Sequence, residues 1–211
     1  MIRRKDLLKT AVALACLAPL VWLAWRWYFH GLGINNIEYV AKFTGRWGLR
    51  FFLATLAITP LRRLPGLNWL GQLRRTLGLI TFSYATLHGM HYFWRDAQWQ
   101  WVVIGEDLTI RRFFIAGALA WLLMLPLAIT STDAAVRRMG KKWQRLHRLA
   151  YVSSTVACIH YLWQGKGINL TPLVYGGILL LLLLSRLVLR WKKRLTPPRR
   201  PPNPSSNSQT A

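Results

Sequence analysis

Six long apolar runs, parted by short clusters of lysine and arginine, decide what this chain can fold into. About 20 apolar residues in a helix cross the ~30 Å hydrocarbon core of a bilayer, where backbone polar groups must be paired within the segment. The runs fall at about 7–29, 47–61, 77–94, 113–129, 149–163 and 173–189. The expected fold class is therefore all-α, an integral membrane bundle of six helices. The second run is the weakest, because Arg50 stands near its start and must stretch outward to reach a polar phase, and Pro60 ends it. The first run follows the basic stretch Met1–Lys9 as in a secretory signal. It continues well past Cys16, so it reads as an uncleaved first span.

Composition fits this class. The chain is 53% hydrophobic, carries 12 tryptophans and has a formal charge of +23. A basic excess of that size can mark nucleic-acid binding, but here the cations alternate with apolar runs and form no single basic face, so no nucleic acid is expected. Their placement sets an orientation. One side collects Arg3, Arg4, Lys5 and Lys9, then Arg62, Arg63, Arg74 and Arg75, then Arg137, Arg138, Lys141, Lys142, Arg145 and Arg148. The other side has only Lys42 and Arg46, then Arg95, Arg111 and Arg112, then Lys166. By the positive-inside rule both termini are cytoplasmic. Thr130-Ser131-Thr132-Asp133 reads as an N-cap cluster opening a short interfacial helix. Residues 191–211, basic and then rich in Pro and Ser, read as a disordered cytoplasmic tail after a membrane unit of 1–190.

Five histidines occur, and two of them, His147 and His160, lie in the stretch from Trp143 to Trp163, read as one helix. Thirteen helical residues separate them by about 20 Å, most of the way across a bilayer. An ionisable side chain inside a membrane is costly and needs a partner. His88 in the third span and His160 in the fifth fall at similar depth, so two neutral imidazoles can face one another and ligate a haem from both sides. The plainer alternative is two core histidines bonded to backbone carbonyls. His91, one turn from His88, reads as an interfacial residue rather than a lining of the haem edge, and His30 as a residue of an outer loop. His147 sits in the basic sequence Lys141–Arg148, suited to lipid headgroups, haem propionates or a flavin phosphate.

Absences narrow the chemistry. Only Cys16 and Cys158 occur, and no C-x-x-C-H, so a haem here is held without covalent attachment, as haem b. The six acidic residues, Asp6, Glu38, Asp96, Glu106, Asp107 and Asp133, fall outside the expected spans, leaving no carboxylate relay. No glycine-rich nucleotide motif appears, so electrons must arrive from a quinol or a separate protein.

Several stretches carry a family resemblance: Phe43-Thr44-Gly45-Arg46, Leu53-Ala54-Thr55-Leu56-Ala57-Ile58-Thr59-Pro60-Leu61, Arg74-Arg75-Thr76-Leu77-Gly78-Leu79, Ala85-Thr86-Leu87-His88, Gly140-Lys141-Lys142-Trp143-Gln144-Arg145-Leu146-His147 and Ile159-His160-Tyr161-Leu162-Trp163. Together they resemble the MsrQ (YedZ) family, haem-bearing membrane subunits of the MsrPQ protein-methionine-sulfoxide reductase system. More distantly they resemble the ferric reductase and NADPH oxidase transmembrane core. The resemblance implies a multi-pass protein of the bacterial inner membrane with a ferric-reductase-like fold. It implies electron transfer from the quinone pool or a cytosolic flavin reductase, through haem, to a periplasmic molybdopterin subunit like MsrP. It also implies FMN, which no motif locates. His88, His147 and His160 match the family's haem-associated histidines. Where two-haem oxidases carry a second histidine on the third span, this chain has Arg74 and Arg75. The reading is one haem between His88 and His160, with His147 serving a second haem, the point where electrons enter, or FMN. The rival readings are a stand-alone ferric or oxygen reductase core and a haem-free transporter or assembly factor.

Overall fold

The structure, a computed structural model, describes residues 4–165 and 170–195, and among these every regular element is helical. The first expected span is two helices, α1 (Arg4–Ala15) and α2 (Ala18–His30). Pro19, in the first turn of α2, has no N–H to offer the preceding turn, and the ladder breaks at Cys16 and Leu17. The fully buried Tyr84 reaches this break, its hydroxyl donating to the Cys16 carbonyl at 2.7 Å. Across the break, Asp6–His30 is still long and apolar enough to cross a membrane. His30 ends α2 rather than standing in a loop.

The second span is corrected most. Helix α3 runs over Asn36–Leu61, so the polar stretch before residue 47, outside the expected run, is helical. Asn35 caps it: its side-chain oxygen accepts the Glu38 N–H at 3.3 Å, while its amide donates to the Glu38 carboxylate at 2.6 Å. Glu38 in turn pairs with Lys42 one turn on. Arg50 is consequently mid-helix, and it is exposed. Its Nε donates to the Tyr175 hydroxyl at 2.8 Å, and its guanidinium lies 4.6 Å above the Trp47 ring.

After a 3-10 turn at Asn68–Leu73 comes α4 (Arg74–His91), extended by a π-type turn at Tyr92–Asp96. The connection to the fourth span holds a further helix, α5 (Trp101–Ile110). Helix α6 (Arg112–Ile129) matches its expected run closely. Thr132 caps α7 (Asp133–Met139) as its position suggested, accepting the Ala135 N–H at 3.1 Å. Gly140, at φ +51°, then turns the chain into α8 (Lys141–Leu146). The stretch 143–163 is not one helix, because His147 and Arg148 separate α8 from α9 (Leu149–Gln164). Helix α10 (Leu170–Leu195) carries Pro172 in its first turn, where the missing N–H has no helical acceptor to lose. It takes in residues 191–195 of the expected tail; residues 196–211 lie outside the described residues.

Two helix pairs form the centre: α3 packs along α4, and α6 along α9, with α10 laid over α9 and α3. Small residues set the close approach, as they do where lipid supplies no hydrophobic drive between helices. Gly48 lies against Tyr84 in the first pair. In the second, Ala116 and Ala120 of α6 are buried, and Ser153 of α9, with no exposed surface, donates to the Ala120 carbonyl at 2.9 Å. Leu49, Phe52, Leu53 and Leu56 join Met124, Cys158 and Leu179 in the core between the pairs and α10. Besides Asp6–His30, Arg112–Ile129 and Leu170–Leu189 are long and apolar enough to cross a membrane.

Arg186 is the unexpected core residue. It stands in a leucine-rich helix yet is 6% exposed, and its guanidinium donates to the Leu56 carbonyl and the Tyr151 hydroxyl. Leu56 precedes Pro60 by four residues, so its carbonyl has no helical N–H. Neighbouring side chains commonly satisfy such freed groups in membrane helices.

Candidate functional site

The two packed pairs each present one imidazole to the other. His88 on α4 and His160 on α9 have ring centroids 6.0 Å apart and ring planes inclined at 73°. Each is held by the partner of its own helix. His88 Nδ1 lies 2.9 Å from the Ala41 carbonyl of α3, and His160 Nδ1 lies 2.7 Å from the Phe113 carbonyl of α6. A carbonyl only accepts, so each Nδ1 carries the ring proton and each Nε2 keeps its lone pair. This is the arrangement that orients a metal-ligating histidine.

Two glycines make room for the rings. A Cβ on Gly45 would stand 3.2 Å from His88 Nδ1 and Cε1. On Gly117 it would come within 2.8 Å of His160 Nδ1, closer than atoms pack. Two imidazoles sharing one metal at ~2 Å per metal–nitrogen bond stand about 6 Å apart, centroid to centroid. Among the described residues no group of three or more His, Cys, Asp or Glu is placed to hold a bare metal ion. A pair with free Nε2 atoms suits an iron whose other ligands come from a porphyrin.

The remaining histidines stand apart from this pair. His91 is half-buried: its Nε2 lies 3.0 Å from the Ile37 carbonyl and fastens the first turn of α3 to α4. His30 is exposed beside Trp25, with 4.6 Å between ring centroids.

His147 belongs to a second place, at the other end of α4. It sits at the corner between α8 and α9, its ring stacked on Trp143 with centroids 3.8 Å apart. The Thr130 hydroxyl donates to the Pro126 carbonyl at 2.6 Å and lies 3.1 Å from His147 Nε2. With the hydroxyl proton committed, Nε2 donates and Nδ1 is the acceptor, the reverse of His88 and His160. Trp143 Nε1 bonds the Thr130 carbonyl at 2.9 Å, which fixes the stack. Burial, helped by the Arg74 charge, pushes the His147 imidazole down from 6.5 to about 4. His147 lines a cleft of about 300 Å³ with Arg74, Arg75 and Trp143, and no other imidazole lines it. Arg75 is paired with Asp133 at 2.6 Å. Because α8 ends at His147, a continuous helix no longer measures the distance from His147 to His160.

Sequence reasoning missed Gly117, Phe113, Thr130 and Arg186. Gly117 had a signal in the small-residue run Ala116–Ala120, which marks close helix approach. Arg186, a lone cation in a leucine run, had one too. The carbonyl of Phe113 and the hydroxyl of Thr130 had none, since their roles arise only from tertiary placement.

Known proteins are similar to this chain in sequence. The family described as "Ferric reductase like transmembrane component" matches residues 44–158, which hold His88 and His147 and stop just short of His160. The protein-methionine-sulfoxide reductase heme-binding subunit MsrQ of Azospira oryzae is 42% identical over 204 residues, covering 93% of this chain and 88% of the relative. MsrQ of Herminiimonas arsenicoxydans is 44% identical over 191 residues, covering 89% and 88%. MsrQ of Caulobacter vibrioides is 41% identical over 186 residues, covering 88% and 87%. The likeness thus runs through both helix pairs and the corner at His147, and the chain is a membrane protein that belongs to the MsrQ family.

Proposed function

We propose that this chain is the electron-carrying membrane subunit of a protein-methionine-sulfoxide reductase system. In this reading six spans cross the bacterial inner membrane with both termini in the cytoplasm. Residues 1–190 form one haem-binding unit and 191–211 a cytoplasmic tail. Electrons come from the quinone pool or a cytosolic flavin reductase and leave to a periplasmic molybdopterin subunit like MsrP, which forms a heterodimer with this chain. The system repairs oxidised periplasmic proteins, and this chain has no substrate-reducing site of its own.

The observation that carries the reading is the facing of His88 and His160 at 6.0 Å with both Nδ1 atoms tied to carbonyls. In this reading His88 and His160 would hold one haem b through their Nε2 atoms, and the haem would supply a one-electron couple inside the membrane. Ala41 and Phe113 hold the tautomers, and Gly45 and Gly117 leave the space. His147 has its Nε2 committed to Thr130 and no facing imidazole, so we assign it to the side where electrons enter rather than to a second haem. FMN, which the family resemblance implies, is assigned no residues. The names of the relatives, each a heme-binding subunit of such a reductase, support the assignment of the system.

A reduced-minus-oxidised spectrum tests the reading. Purified protein is expected to give low-spin b-type bands that His88→Ala and His160→Ala each abolish. A colourless wild type, or bands unchanged in both variants, would sink it.

A further inference from the structure

The first membrane-crossing segment carries a groove and a cation that the haem pair does not use. Leu14, Ala18, Val21, Trp22 and Trp25 line a shallow apolar groove of about 490 Å³. By helical rise the stripe from Leu14 to Trp25 is about 16 Å long, close to the ~15 Å of hydrocarbon in one leaflet. Trp25, Trp27 and Tyr28, all exposed, gather at the end of the segment as an interfacial belt does.

Arg26 stands at the level of that belt. Its guanidinium carbon lies 5.5 Å from the centroid of the Trp22 ring and 5.2 Å from that of Tyr39. Trp22 is itself stacked on Phe43 at 5.4 Å, so α2 and α3 hold the cation between them. No carboxylate of the described residues lies within ion-pair distance of Arg26, and its Nε is buried without an acceptor. Glu38, the acid beside Tyr39, accepts from Asn35 and pairs with Lys42. Contact with aromatic faces orients a guanidinium and leaves its charge in place. A fixed cation at headgroup level, at the mouth of a groove as long as one leaflet, matches a phosphate with a hydrocarbon chain below it.

We propose that this groove seats one anionic phospholipid, with an acyl chain along Leu14, Ala18 and Val21 and the phosphate on the terminal nitrogens of Arg26. A zwitterionic lipid brings its own ammonium to the phosphate and so competes with Arg26, which favours the anionic class. The site depends neither on the haem reading nor on which end of α2 faces the periplasm.

The test titrates phosphatidylglycerol into the full chain in detergent and reads bound lipid by native mass spectrometry. One tight lipid per chain is expected, with phosphatidylethanolamine binding more weakly. Arg26→Gln should weaken binding about tenfold, the loss of a charge-assisted hydrogen bond, and Arg26→Lys should weaken it less. Ala18→Trp fills the groove, leaves Arg26 in place and should abolish the tight adduct, which keeps the test decisive where Arg26→Gln fails to fold. Arg95→Gln, in the turn after α4, should bind as wild type. Wild-type affinity in Arg26→Gln or in Ala18→Trp, equal affinity for the two lipids, or a dimer of chains that fills the groove and excludes lipid would overturn the proposal. Equal weakening in Arg95→Gln would overturn it too, by reducing the effect to net charge. Haem bands play no part in these readouts, so failure here leaves the bis-histidine reading standing.

Discussion

A single carbon added to Gly117 would lie 2.8 Å from His160 Nδ1, the atom that bonds the Phe113 carbonyl. Both contacts come from α6, so one helix supplies the socket and the tether of the α9 imidazole. Gly117→Ala should push the ring off its carbonyl and cost about 1–3 kcal/mol as overpacking does. The haem-to-protein ratio should fall well below that of wild type. Gly45→Ala, where the clash is milder, should lose less. Haem content equal to wild type in Gly117→Ala would show that the His160 position is not set by this contact.

His91 tests which imidazole on α4 matters. His91→Ala removes the bond to Ile37 and should cost about 0.5–1.5 kcal/mol while keeping the haem bands. His88→Ala should abolish them. Equal haem loss in the two would place the ligand on the wrong turn.

Arg186 and Pro60 should behave as a coupled pair. Arg186→Leu leaves the Leu56 carbonyl buried and unpaired, a cost of about 1–3 kcal/mol. Pro60→Ala restores an N–H that can reach that carbonyl. The penalty of Arg186→Leu, measured by unfolding in detergent, should therefore shrink in the Pro60→Ala background. Strictly additive penalties would mean that Arg186 acts through its other contacts alone.

The His147 imidazole predicts a pH dependence. Its value when folded, about 4, is below the ordinary 6.5, so as pH falls the unfolded chain takes up the proton first. The contribution to stability is complete above pH ~6.5 and drains away toward pH ~4. Thr130, Trp143 and Arg74, the groups around the ring, offer no acidic partner to reverse the sign. Melting temperature followed between those limits should fall less steeply in His147→Gln than in wild type. Parallel profiles would assign the acid sensitivity to other groups.

Much of this architecture was legible before the coordinates. The apolar runs gave α6 and α9 almost to the residue, and Thr132 marked the start of α7. Intramembrane cost singled out His88 and His160. The start of α3 was hidden because its first turns are polar and owe their helicity to the Asn35 cap, the Glu38–Lys42 pair and the tether from His91. The corner at His147 was hidden for the opposite reason: neither proline nor glycine marks it, and what bends the chain there is the anchoring of Trp143 and His147 to Thr130. Pro19 was a visible breaker inside an apolar run, and hydropathy alone outweighed it.

The division of the bundle into α3 with α4 and α6 with α9 has a consequence for biogenesis. Each pair owns one imidazole, so a polypeptide still on the ribosome after α4 has only half of a grip on a macrocycle. Under the proposed function, porphyrin is captured only once the later hairpin has been inserted, and fragments ending before residue 160 should leave translation colourless however well they enter the membrane.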